Sequence, residues 1–200
     1  MEIIDITNGI FTDKIYPDTP EAKSTFLKKI SDNDLYNYSA FFASSHSGTH
    51  IDAPSHFIED GNSVERIDLN SFIGPCKVIK VPNGPITGEY VENNFPRGCE
   101  RLLIKSNGTA SFFDHGAYCA INLGIKMIGI DSISISDDSC AMTVHKAFSA
   151  SNIGILENLS LDDIEEGNYF LIALPIKSDG LEAAPARAIL IKDSFSYHKR

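Results

Sequence analysis

Any fold for this chain has to accommodate residues 46–56, HSGTHIDAPSH, where three histidines and an aspartate fall within eleven positions. The chain holds six histidines in all, and half of them are here. Composition does not account for that clustering. Imidazole and carboxylate together form the ligand set of divalent metals such as zinc and manganese. In an extended backbone side chains alternate between faces, so His46, His50 and Asp52, which share parity, point the same way. Gly48 shares that parity and leaves a gap on the face that a metal or substrate could fill. Pro54 cannot donate to a strand ladder, so it is expected to end the strand and leave His56 on the turn beyond. The pattern predicts three ligands on a strand with a fourth polar group swung over them. Two alternatives stand beside it. The same residues could be hydrogen-bonded core histidines and an aspartate that opens a turn, although burying four such groups unpaired is costly. His46 and His50, four apart, would also share a helix face, but Gly48 and the β-branched Thr49 and Ile51 favour the strand.

Two hundred residues suffice for one domain, 1–200, whose core needs neither disulfides nor a structural metal. Hydrophobic residues at 42% and charged residues at 22% are ordinary for a globular protein. A net charge of −10 and a pI near 4.9 leave no basic patch to neutralise phosphates, so no nucleic-acid partner is expected. The four cysteines (Cys76, Cys99, Cys119 and Cys140) lie far apart, with no CxxC pair and no secretory signal ahead of them. That usage fits free thiols in a reducing cytoplasm. No apolar run approaches the roughly 20 residues needed to cross a bilayer, and no membrane partner is expected. The opening MEIIDITNGI alternates like a strand and lacks the layout of a targeting peptide.

Strands are expected over residues 2–10, 35–45, 76–81 (CKVIKV), 101–106 (RLLIKS), 126–131 (KMIGID), 168–176 (NYFLIALPI) and 186–192 (ARAILIK). Residues 15–23 hold two prolines and read as an extended or turning segment, 62–74 as a polar turn or helix closed by Gly74, and 82–88 as a loop. Short helices fit 117–125, ending near Gly124, and 144–153, while GILENL at 154–159 is short and apolar. No repeat, low-complexity tract or linker divides the chain. Many strands with few, short helices predict a mixed α/β single domain with a β-rich core.

A three-ligand site leaves positions open, which directs attention to acids and histidines further along. Glu157 sits inside GILENL, where a carboxylate among apolar neighbours needs a partner, and a metal is one candidate. His145 opens a helical stretch twelve residues earlier. Spacing alone leaves open that Glu157 faces solvent and His145 is an ordinary helix residue. His115, in a Gly- and Ser-rich loop, and His198, in the terminal KDSFSYHKR, read as surface residues. There is no G-x-S-x-G elbow, no cysteine adjacent in sequence to a histidine, and no nucleotide-binding glycine motif.

HSGTHIDAPSH resembles the H-x-G-T-H-x-D-x-P-x-H signature of the metal-dependent cyclase family, which includes bacterial kynurenine formamidases and isatin hydrolase. MIGIDSISIS resembles that family's G-x-D-x-x-S segment, His145 and Glu157 match its His-to-Glu spacing, and ALPIKSDGLEAAPARAIL resembles its C-terminal strand-turn-strand. The resemblance implies a swivelling β/β/α fold and a homo-oligomer, a dimer or tetramer. It also implies two divalent metals per subunit, zinc ahead of manganese. His46, His50, Asp52 and Glu157 would hold one metal; Asp52, His145 and Glu157 would hold the other, with both carboxylates bridging. His56 would shuttle the proton. The implied chemistry is attack of metal-activated hydroxide on an amide, foremost an aryl formamide such as N-formylkynurenine, giving kynurenine and formate. Formamidases of the family carry Trp in a W-P-G-D-T-P-like segment; here IYPDTP places Tyr16 there, the glycine is missing and the chain has no Trp. Tyr16 could stack on a substrate ring. The departure keeps open a cyclic amide or lactone substrate, as for isatin hydrolase. A catalytically silent metal-binding scaffold is a third reading, against which stands the retention of His56.

Overall fold

The run RLLIK at 101–105 is buried on both sides, as expected of a strand in a parallel sheet covered on each face. The computed structural model describes residues 1–11 and 15–192; the terminal stretch with His198 lies outside them. In chain order the first elements are β1 (Glu2–Asp5), then β2 (Lys23–Lys28) and β3 (Tyr38–Phe42), which pair with each other, then β4 (His50–Asp52). The middle holds β5 (Ile73–Lys80), β6 (Gly84–Ile86), α1 (Gly88–Asn94), β7 (Arg101–Lys105), β8 (Ala110–Phe112) and α2 (Asp114–Ile121). The last part holds β9 (Met127–Ile130), α3 (Ala141–Ala150), β10 (Gly154–Glu157), β11 (Gly167–Pro175) and β12 (Ala183–Lys192).

Seven strands close a ring in the order β12-β11-β5-β7-β9-β10-β4, with β4 pairing back onto β12. β1 extends the other half of β12. The four strands β5, β7, β9 and β10 run parallel, and parallel neighbours need crossovers, which the three helices help supply. Alternation sorts the side chains into two layers. Val78, Leu103, Met127, Leu156 and Leu171 fill the ring's interior. Ile79, Leu102, Ile104, Ile128 and Ile155 face outward, where α1, α2 and α3 cover them with Val91, Ala117, Val144 and Phe148. Each fully buried Leu or Ile contributes about 1.5–3 kcal/mol. The result is the mixed α/β, β-rich single domain with few short helices that the sequence predicts.

Several boundaries differ from the sequence expectation for identifiable reasons. β1 stops at Asp5: Ile6 N–H still donates to Ala188 O on β12, but the Ile6 carbonyl accepts from Ser160 N–H, Thr7 bridges Leu159, and Asn8 O accepts from Thr49 N–H. Gly74 terminates nothing. It lies within β5 at φ +143, and a side chain there would collide with the buried Arg101 guanidinium. The loop expected at 82–88 contains β6, and its Thr87 caps α1 by accepting from Tyr90 N–H. Of the expected segment 62–74, two stretches form 3-10 turns, Val64–Arg66 and Leu69–Phe72, the second capped by Asp68, and the last two residues begin β5.

Candidate metal centre

Pairing of β4 with β10 sets Glu157 opposite His50 and Ile155 opposite Asp52. Ile51 and Leu156 point into the ring, so His50, Asp52 and Glu157 share the outer face, toward α3. α3 presents Val144, His145 and Phe148 as its buried side, which carries His145 onto the same spot. His50 Nε2 lies 3.3 Å from Glu157 Oε2 and 3.5 Å from Asp52 Oδ1. His145 Nε2 lies 3.3 Å from Glu157 Oε1 and 3.6 Å from Asp52 Oδ2.

His46 arrives differently from the expectation. It is not on the strand, which spans His50–Asp52 alone, but in the turn before it. Nor is Gly48 an open gap: at φ +65 it packs against residues 8–9, and an added Cβ would sit 2.6 Å from Asn8 O. Thr49 holds this turn, donating its N–H to Asn8 O and its Oγ1 to Asn158 O. The turn swings His46 inward, with Nδ1 3.3 Å from Asp52 Oδ1 and Nε2 3.3 Å from Glu182 Oε1. Pro54 does end the strand, opening a 3-10 turn, Pro54–His56, that folds His56 back over the cluster. The His56 ring centroid lies 4.5 Å from that of His46 and 5.9 Å from that of His145.

Chemically, the donors fit a divalent cation. Both Asp52 carboxylate oxygens and His50 Nε2 are buried without a hydrogen-bond partner among the described residues, a costly state unless something else engages them. Two groups, His46–His50–Asp52 and Asp52–His145–Glu157, place one donor atom from each residue within 4.8 Å of the others and share Asp52. Imidazole with carboxylate suits zinc or manganese alike. The outer nitrogens are held: His50 Nδ1 lies 3.0 Å from Gly48 O, and His145 Nδ1 2.7 Å from Ala141 O.

Burial disfavours a proton on His50, but the Glu157 and Asp52 carboxylates outweigh it and raise its pKa from 6.5 to about 9. His145 is raised for the same reasons. Glu157 is held well below the usual carboxylate range: burial pushes it up, but His145 and His50 win. Ile135 N–H also donates to Glu157 Oε1 at 2.7 Å. His56 goes the other way, lowered by burial and by His46 and His145 despite Asp52.

Six of the seven residues singled out in the sequence thus converge. Tyr16 does not join them. It is partly exposed, and its hydroxyl donates to the Asp138 carboxylate, in the segment whose Ser134 and Ile135 contact Glu157. Two neighbours had no sequence signal: Phe57, stacked on His145 at 4.4 Å, and Glu182, reached only through the fold. Among the described residues no helix is long and apolar enough to cross a membrane.

The Cyclase family model, described as "Putative cyclase", matches residues 4–101, which contain all of HSGTHIDAPSH. The kynurenine formamidase of Delftia acidovorans is 38% identical over 166 residues, covering 77% of this chain and 79% of that protein. A protein from Bacillus stearothermophilus described as a predicted metal-dependent hydrolase superposes with a TM-score of 0.81 at 29% identity, over 94% of this chain and 97% of its own. Isatin hydrolase A from Labrenzia aggregata shares the fold, with a TM-score of 0.80 at 19% identity, over 96% and 94% of the two chains. Relatedness of that extent, on a fold that gathers these histidines and carboxylates, makes the chain a member of the Cyclase family of metal-dependent hydrolases.

Proposed function

We propose that this amide hydrolase acts on an aryl formamide, N-formylkynurenine first, releasing formate and kynurenine. The observation that carries the metal-dependent chemistry is Asp52, whose two buried oxygens lack hydrogen bonds while three imidazoles face them. Two divalent ions are proposed, zinc ahead of manganese. His46, His50, Asp52 and Glu157 would hold one, and Asp52, His145 and Glu157 the other. When bound, such an ion supplies Lewis acidity and makes water a stronger acid.

The remaining work falls to the chain itself. His56, whose burial and imidazole neighbours keep it neutral near pH 7, accepts a proton from the attacking water and passes it to the leaving nitrogen. The His56 and Phe57 rings flank the cluster and limit water there. The substrate assignment draws on the 38% identical kynurenine formamidase. Tyr16, in the place of that family's Trp, is proposed to contact the substrate ring.

A second reading is ring opening of a cyclic amide or lactone. It is favoured by Tyr16, whose hydroxyl is tied to Asp138 where the formamidase pattern has Trp. Formate release from N-formylkynurenine, measured beside ring opening of isatin, separates the two. Formate release without isatin turnover supports the first reading, and the reverse supports the second. Turnover of neither removes both substrates. The working form is proposed to be a cytoplasmic homo-oligomer, in keeping with four unpaired cysteines.

A further inference from the structure

An imidazole has two ring nitrogens, and the partner of the outer one decides what the inner one offers. His50 and His145 follow one pattern. Their Nδ1 atoms lie against the Gly48 and Ala141 carbonyls at 3.0 and 2.7 Å. A carbonyl only accepts, so Nδ1 keeps its proton and Nε2 is the nitrogen that gives up its proton to offer a lone pair to a cation. His46 is reversed: its Nδ1 faces Asp52 and its Nε2 faces Glu182 Oε1, each at 3.3 Å. A carboxylate therefore backs this ring, where neutral carbonyls back the other two.

Glu182 is held there from several sides. Its carbonyl accepts from Ala53 N–H at 2.8 Å, and the preceding Leu181 carbonyl accepts from Val64 N–H at 2.9 Å. Gly180 N–H donates to Glu65 Oε2 at 3.1 Å. Ser45, the residue before His46, donates its hydroxyl to Glu182 Oε1 at 2.6 Å and fixes the carboxylate's position. The segment that carries Glu182 into β12 thus meets the turn that carries His46 into β4.

We propose that Glu182 is a positioning residue that holds His46 as the Nε2–H tautomer, so that Nδ1 is the metal-facing nitrogen, and that it tightens the hold on a divalent cation. The proposal rests on the reading of His46 as a ligand. Accepting the Nε2–H into a carboxylate makes the opposite nitrogen a stronger donor, and outer partners of this kind are commonly worth ~10–100-fold in metal affinity.

The test is zinc affinity of the full chain, stripped with a chelator and titrated against a competing chromophoric chelator. Glu182→Ala should bind zinc ~10–100-fold more weakly than the wild type. Glu182→Gln should lose less, since its amide oxygen still accepts the N–H. The metal-free thermal midpoint should stay in place in both. Wild-type affinity in Glu182→Ala, with His46→Ala weakened, overturns the role of Glu182 and leaves His46 a ligand. Wild-type affinity in His46→Ala overturns both. Long-range nitrogen-15 NMR of the zinc-loaded wild type needs no variant. It should find the His46 proton on Nε2 and those of His50 and His145 on Nδ1; a proton on His46 Nδ1 overturns the proposal.

Discussion

Asp52 is the residue on which the site's electrostatics turn, since it faces His46, His50 and His145 and belongs to both candidate ligand groups. In protein stripped of metal, protons on His50 and His145 balance the carboxylates. A group raised on folding, as His50 is from 6.5 to about 9, contributes stability that is whole below 6.5 and fades as pH climbs through about 9. Stripped protein should therefore show a falling thermal midpoint between pH 6.5 and 9, whereas a flat or rising midpoint would contradict the assignment. Ligand imidazoles must be neutral, so zinc affinity should increase over the same interval. His56→Ala should keep its metal and lose turnover by ~10²–10⁴-fold; metal content and turnover from one preparation check this, and undiminished turnover would strip His56 of its role. The ligand candidates were legible because histidine is scarce here and crowded into one motif, with His145 and Glu157 added by family resemblance. Glu182 and Phe57 were not, because each is a common residue type whose link to the site exists only after folding.

Among the elements, β4 shows where reading by parity works and where it stops. Alternation placed His50 and Asp52 on one face correctly, and Pro54 ended the strand as expected. It failed for His46, because a contact distant in sequence overrides local extension. The Gly48 turn closes against residues 8–9, and Thr49 bonds Asn8 and Asn158, segments the motif itself cannot reveal. The apolar runs of β7, β9, β11 and β12 were legible for a different reason: a strand covered on both faces is apolar throughout. β6 and β8, three residues each and containing Pro85 and Ser111, carry no such run.

At the scale of the whole molecule, the ring closure of β4 onto β12 could not be read beforehand, since pairing between distant strands leaves no local periodicity. One part of the fold stands apart from that ring. The β2–β3 hairpin pairs with itself, every residue of both strands is exposed, and eight large apolar side chains between Phe26 and Phe42 are at least half exposed. A two-stranded hairpin is marginal in water, and we propose that this exposed apolar surface is an interface. Lys23, Lys28 and Lys29 outnumber Asp32 and Asp34 on it, in a chain of net charge −10, which suits contact with a second copy. Sedimentation should find a homo-oligomer that Phe26→Asp with Phe41→Asp dissociates; a monomeric wild type would contradict this. The claim that everything else depends on is that amide hydrolysis requires metal at the shared Asp52 site. It is tested most directly by measuring hydrolysis and metal content in the same samples, before chelation, after it and after metal is restored. Hydrolysis is expected to vanish with the metal and return with it. Undiminished hydrolysis by metal-free protein would contradict the claim.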